Sequence, residues 1–304
     1  MDPFDDLLRG VRADGALFGR SVLSPPWALT FDGGASLTVC APVRGEGWIL
    51  RGTGQKPLLI QQGDVAIVSG AEPFVVTDEP ATASRSVRPG NAHSNTEGNQ
   101  PHPVDLPGRT VLMVGTYDAK GEVPLRLLRI LPPVVVVPDN HATYAPLRQY
   151  LEEQLADGPP GRQIVLDRLL DWLLVCTLRE WFDHHAENPP AWYLALGDCV
   201  VGPVLRAMHE APGKPWTLAS LAAEAGFSRT VVAKRFTELL GEPPLTYLTE
   251  WRMALAADLL AESRATVADV AKRVGYADAF GFSAAFKRLR GVSPSEYRRA
   301  TPQP

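Results

Sequence analysis

The side chains best suited to chemistry are the lysines and arginines of the last hundred residues. Between Leu205 and Pro304 there are 14 Lys/Arg against 10 Asp/Glu, while all 304 residues carry 30 against 34, a formal net charge of −4. Positive charge is therefore gathered in the C-terminal third, and the remainder is acidic. A local excess of this kind can neutralise nucleic-acid phosphates even though the overall charge argues against such a partner. Other chemistries lack their residues. Cys40, Cys176 and Cys199 make no metal motif and no even-numbered disulfide framework. They read as small buried apolar groups in a reducing compartment, with a redox-sensing pair as the alternative. The sequence offers no paired carboxylates, triad or metal set, so neither enzyme activity nor a cofactor is expected.

A duplicated element carries the basic residues. Residues 217–228 read TLASLAAEAGFS and are followed by Phe236, Gly241, Pro244 and Tyr247. Residues 266–277 read TVADVAKRVGYA and are followed by Phe286, Gly291, Pro294 and Tyr297. A period near 50 residues asks for two copies of one supersecondary unit, and each copy reads as helix, glycine turn, helix. Thr217 and Thr266 cap the first helices, and Gly226 and Gly275 end them with a backbone that tolerates positive φ. Ser228 and Asp278 then cap the second helices. Phe227, Phe236, Tyr276 and Phe286 are expected to form the two small cores. Met253, Ala256, Ala257 and Leu260 recur at helical spacing and predict a linking helix over 251–263. Two helical hairpins without a ligand are the bland alternative.

The N-terminal part follows another pattern. A short amphipathic helix is expected over 3–13, then strands over 16–22, 27–31, 36–42, 47–51, 58–61, 64–68, 74–77 and 110–117, with turn residues between them. Strands this short and frequent predict a β-sandwich or small barrel. Residues 78–108 are rich in Pro, Gly, Ser and Asn and predict a long mobile loop. Two helices follow, over 144–156 and 161–184. The second carries Ile164, Val165, Leu169, Trp172, Leu173, Cys176 and Trp181, too many apolar residues for one surface helix. It should lie under the barrel or form a dimer interface. The boundary falls at Asn188-Pro189-Pro190, giving an α+β chain with domains 1–188 and 189–304. No run of 18 apolar residues occurs, and the acidic N-terminus has no apolar signal segment, so a cytoplasmic protein without a membrane partner is expected.

The C-terminal hundred residues resemble the AraC/XylS transcription regulators. The resemblance rests on the two helix–turn–helix copies, on Tyr247-Leu248-Thr249-Glu250-Trp251-Arg252-Met253, and on Phe286-Lys287-Arg288 with Gly291-Val292-Ser293-Pro294-Ser295-Glu296-Tyr297-Arg298-Arg299. The rest looks like the cupin-type sensory domain of one branch, from the 2–11 segment, Gly63-Asp64 before an apolar strand, and Leu131-Pro132-Pro133. The resemblance implies a bacterial regulator that binds double-stranded promoter operators, acts with RNA polymerase, forms a homodimer and senses a small-molecule effector in its barrel. Each second helix would enter the major groove, the two about one turn apart. By the family's pattern the DNA-facing residues are Ser228, Arg229, Thr230, Ala233, Lys234 and Arg235 in the first copy. In the second they are Asp278, Ala279, Phe280, Gly281, Ser283, Lys287 and Arg288. This second set departs from the pattern, being small or apolar, with Ala284 where an arginine is frequent. Lys287 and Arg288 would touch phosphates, thymine methyls would meet apolar side chains, and most base reading would fall to the first copy. Cupins often bind metal through two histidines, a glutamate and a later histidine. Here Glu46 has no histidine beside it, Phe74 stands where one is common, and His93, His102, His184 and His185 lack ligand spacing, so no metal is expected. Trp27, Phe31, Trp48 and Phe74 are the candidate effector lining. Thiol triggering, or a cupin enzyme with a DNA-binding tail, are the alternative functions.

Overall fold

The computed structural model describes residues 2–9, 11–13, 22–52, 56–82, 109–119, 121–138, 150, 160–187 and 189–300. The first elements are α1 (Pro3–Arg9), β1 (Val11–Ala13), β2 (Val22–Leu23), β3 (Ala28–Phe31), β4 (Leu37–Arg44), β5 (Gly47–Arg51) and β6 (Leu58–Ile60). Next come β7 (Val65–Ser69), β8 (Phe74–Thr77), β9 (Thr110–Ala119), α2 (Glu122–Leu128), β10 (Val134–Val137) and α3 (Arg162–Glu180), which ends in a π-helical turn, Trp181–His185. The remainder is helical: α4 (Ala191–Leu196), α5 (Val201–Glu210), α6 (Leu218–Ala225), α7 (Arg229–Leu240), α8 (Pro244–Glu262), α9 (Val267–Arg273), α10 (Ala279–Arg290) and α11 (Pro294–Ala300). The α+β class expected from the sequence is observed. The expected 144–156 helix, most of the 16–22 strand and residues 83–108 of the expected loop, with His93 and His102, lie outside the described residues.

Two compact units are interleaved along the chain: Val11–Ala119 with Ile130–Ala186, and Met1–Gly10 with Lys120–Arg129 and Glu187–Pro304. The boundary expected at residue 188 follows chain order, whereas these units group Met1–Gly10 and Lys120–Arg129 with the C-terminal residues. The 3–13 helix is corrected as well: it stops at Arg9, and Val11–Ala13 pairs antiparallel with β9.

The first unit holds two antiparallel sheets. One runs β1-β9-β4-β7-β10 with β2 also on β9, and the other runs β3-β8-β5-β6. Their inner faces share a core of Trp27, Cys40, Ile49, Ile60, Ala66, Val68, Phe74, Val76, Leu112 and Val114. Pro42 stands inside the long β4, and the register against β9 shifts between Pro42 and Arg44. A bulge is where a residue without an N–H is tolerated in a paired strand. Strand β10 went unassigned from sequence because Val134–Val137 is continuous and bracketed by prolines; it closes the sheet edge at β7. Helix α3 packs on this sheet. Leu170 fills the space over Gly115, and its carbonyl accepts the Tyr117 hydroxyl at 2.7 Å. Leu166, Leu170, Leu173, Leu174 and Leu178 are buried, while Ile164, Val165 and Trp172 remain exposed. The helix thus has one buried apolar face and one exposed apolar face.

The second unit contains the repeat. Thr217 accepts from the Ser220 N–H and Thr266 from the Asp269 N–H, both at 3.1 Å, each completing a reciprocal capping box. Gly226 and Gly275 have φ of 73° and 84°, the left-handed backbone each turn needs. The first copy packs Leu221, Val232 and Phe236 with Val204, Leu205 and Met208 of α5, and the second packs Val270, Val274, Phe282 and Phe286. Helix α8 starts at Pro244, well before the expected 251. It gives Leu248 to the first core and Met253, Ala256, Ala257 and Leu260 to the second. Phe236 and Phe286 are buried as expected, but Phe227 is corrected: it is 42% exposed.

Candidate nucleic-acid interface

The second helix of each copy, α7 and α10, carries the expected DNA-facing residues. In α7, the Ser228 hydroxyl accepts the Val231 N–H and so satisfies one orphan donor of the first turn. Arg229, Thr230 and Lys234 are exposed, and Ala233 is half-buried. Lys234 makes only a loose pair with Glu238, at 3.8 Å on the same helix, which leaves its ammonium available to a stronger anion.

Arg235 has another task. Its Nε and Nη2 donate to Asp198 Oδ2 at 2.9 and 2.8 Å. The other oxygen, Oδ1, accepts the Val200 and Val201 N–H groups at 2.9 Å and so caps α5. Partial burial opposes the Asp198 charge. The N–H bonds of Val201 and Val200, with Arg235, outweigh it and hold the carboxyl below its ordinary range. Arg235, expected at the DNA, is thus paired with Asp198 while its side chain stays 46% exposed.

In α10 the polar residues are mostly occupied. The Asp278 carboxylate accepts the Phe280 and Gly281 N–H groups at 2.9 and 2.7 Å, which makes it the helix cap. Ser283 donates back to the Ala279 carbonyl at 2.7 Å. Phe280, Gly281 and Ala284 are exposed, Ala279 is half-buried, and Lys287 and Arg288 are exposed toward the end of the helix. The last residue, Arg290, forms an ion pair with Glu122 of α2, outside good hydrogen-bond alignment. Phe227 and Val231, both exposed beside the α7 cap, belong to the same surface. Sequence reasoning missed them because Phe227 aligns with Tyr276, which packs edge-on against Phe282.

Both segments contributed by the chain's N-terminal half are locked into this unit. Phe4 of α1 packs on Trp192 and Tyr193. Asp6 meets His209 Nδ1 at 2.8 Å, and His209 Nε2 lies 2.8 Å from the Tyr247 hydroxyl. His209 is 3% exposed, and its ring centroid is 4.2 Å from that of Trp251. Burial keeps the imidazole below its ordinary pKa despite Asp6, so the neutral ring donates to Asp6 and accepts from Tyr247. In α2, the Glu122 and Val123 N–H groups both donate to Asp258 of α8.

The candidate effector lining is split between faces. Trp27 and Phe74 belong to the inter-sheet core, and Phe31 stacks on Phe74 at 4.6 Å. Trp48 alternates with the buried Gly47 and Ile49 along β5 and so points to the opposite face. The buried Trp27 Nε1 has no hydrogen-bond partner among the described residues. Also among those residues, no three or more His, Cys, Asp or Glu are grouped to hold a metal ion. Cys40 is fully buried and its thiol is pushed up to about 12, and Cys176 is raised by burial too. Thiols held protonated are poor nucleophiles, so Cys40 and Cys176 lend thiol triggering no support, while Cys199 is exposed, against the buried reading expected of it. No helix of the described residues is long and apolar enough to cross a membrane.

A family model described as a cupin matches residues 2–183, and one described as a helix-turn-helix domain matches residues 221–300. A Streptomyces lividans protein described as an AraC-like transcription regulator is 30% identical over 309 positions, covering 100% of both chains. One from Streptomyces antibioticus, with the same description, is 29% identical and covers 98% of this chain and 99% of its own. Among solved structures, the DNA-binding domain of AdpA in complex with a target DNA is 33% identical, covering 33% of this chain and 89% of that one, with a TM-score of 0.32.

Proposed function

Because the chain belongs to the AraC-like transcription regulators, with a cupin domain ahead of its helix-turn-helix domain, we propose that it reads promoter operators mainly through α7. Arg229, Thr230 and Lys234 would make the base-specific hydrogen bonds, with Ser228 and Ala233 along the same approach. Lys287 and Arg288 would hold phosphates on the second half-site. The observation that carries this reading is the contrast between the two helices. The polar face of α7 is exposed and largely uncommitted, whereas Asp278, Ser283 and Arg290 of α10 are spent on caps and internal bonds.

The protein would act as a regulator, not an enzyme, in the cytoplasm and on the nucleoid, with RNA polymerase as the partner that transmits its effect. Exposed Ile164, Val165 and Trp172 on α3 support a homodimer formed by the cupin unit. The orphan Trp27 N–H supports an effector with an apolar body and one acceptor oxygen.

Selection of binding sites from random duplex DNA by the full chain tests the reading. K234A should weaken and relax the selected site. K287A should lose affinity evenly across sequences and reduce the salt slope by about one. Failure to enrich any duplex over bulk DNA at physiological salt would sink the proposal.

A further inference from the structure

Phe280 is the most exposed large apolar side chain among the described residues, at 87% of its accessible surface. It is the second residue of α10, on the first turn, where the second helix of a helix-turn-helix meets base edges. Nothing beside it is long enough to shield it: Ala279, Gly281 and Ala284 are its helix neighbours. The one nearby charge, Asp278, is turned back onto the Phe280 and Gly281 N–H groups and so does not repel a polyanion as a free carboxylate would. Farther along the helix, Lys287 and Arg288 supply positive charge. An apolar knob on a bald first turn, with cations two turns further along the same helix, matches a surface that is anionic at its rim and apolar at one point.

We propose that Phe280 reads the C5-methyl groups of thymine in the major groove, so that the half-site facing α10 is recognised by its methyl pattern. The inference rests on the DNA-binding reading above. A phenyl ring has no donor or acceptor and cannot tell one base's polar edge from another's. The thymine methyl is the apolar feature of that groove, and it distinguishes A·T from the other pairs. Small residues at 279, 281 and 284 let the helix backbone approach closely enough for the ring to cover it. Burying one methyl-sized group is worth about fourfold in affinity.

Two parallel selections with the full chain test this, from random duplex libraries synthesised with dTTP or with dUTP, which lacks the methyl. Phe280→Ala leaves the fold intact, because the side chain is exposed and the capping N–H remains. Wild type should enrich thymine at the half-site that F280A alters, and should lose that enrichment in the dUTP library. F280A on thymine DNA should bind about fourfold more weakly per contacted methyl, and should discriminate no better than wild type does on uracil DNA. A half-site indifferent to uracil, or an F280A loss equal on both libraries as a wedge between base steps would give, overturns the inference while leaving DNA binding in place. Absence of enrichment from either library overturns the DNA-binding reading itself.

Discussion

Asp258, in the middle of α8, caps a helix that begins 136 residues earlier: its carboxylate accepts the backbone N–H of Glu122. Oδ2 takes the next one, from Val123, at 3.1 Å. A Cβ on Gly121 would lie 2.7 Å from this carboxylate, so only a glycine lets α2 start here. Strand β9 ends at Ala119, and α2 begins at Glu122. Helix α2 is thus held on α8, the helix that joins the two helix–turn–helix copies.

The first prediction is a pH dependence of stability. Burial pushes the Asp258 carboxyl up to about 6. The Glu122 and Val123 N–H bonds oppose this, and the charges of Glu262 and Glu122 reinforce it. A carboxyl with a raised folded pKa contributes stability that is complete at low pH, below its unfolded value, and is lost as pH rises through about 6. Asp258→Asn removes the titration and keeps an acceptor. Thermal unfolding from pH 4 to 7 should show D258N gaining on wild type by an amount on the order of 3 kcal/mol. Parallel curves would refute the assignment.

His209 runs the other way. Its folded pKa is depressed, chiefly by burial and slightly by Arg126, against the pull of Asp6 and Asp2. The unfolded chain then takes up the proton first, and stability falls as pH drops below about 6.5. In wild type this loss and the Asp258 gain oppose each other between pH 4 and 6.5. His209→Gln removes the His209 limb, so its stability should fall less toward acid than that of wild type. His209→Ala should cost about 2–4 kcal/mol in denaturant unfolding, because it leaves a cavity against Trp251 and takes the acceptor from the Tyr247 hydroxyl.

How much of this was readable in the sequence depends on range. Caps at Thr217, Ser228, Thr266 and Asp278 use partners two or three residues away, and their chemistry is written locally. Most strands are readable because the turn residues between them are local too, whereas β1 and β10 carry no such signal. The Asp258 cap and the Asp6–His209 pair join residues 136 and 203 positions apart. Neither leaves a local pattern, so the sequence does not show that segments 1–10 and 120–129 pack with the C-terminal residues. Arg235 hides its partner for a related reason. Its exposure on a basic helix face is local, whereas Asp198, which claims it, lies across a chain reversal.

Arg51 gives a third prediction of the same kind. It is buried at the end of β5, and its Nη1 donates to the carbonyls of Ser69 on β7 and Pro133 before β10, while Nε meets Glu72 at 3.2 Å. One guanidinium thus ties the two sheets together. Arg51→Met keeps the apolar stem but takes a charged donor from the Ser69 carbonyl, while the Pro133 carbonyl keeps the Ser69 N–H, and it should cost about 1–3 kcal/mol in denaturant unfolding of the full chain. Arg51→Lys should recover little, since a single ammonium cannot reproduce the planar fork. Retention of full stability by the methionine variant would show that the bonds contribute nothing.

The last prediction separates orientation from reading on α7. Asp198 is mostly shielded and faces α5 and Arg235, yet D198A should weaken DNA binding, because it releases both the α5 cap and the guanidinium that sets the angle of α7. Loss of such a cap typically costs about 1 kcal/mol of stability. If Arg235 acts only through Asp198, the double variant D198A/R235A should bind DNA no worse than the weaker single variant. The slope of log affinity against log salt should then be unchanged in R235A, whereas K287A reduces it by about one. Additive losses, or a lower slope in R235A, would return Arg235 to the DNA.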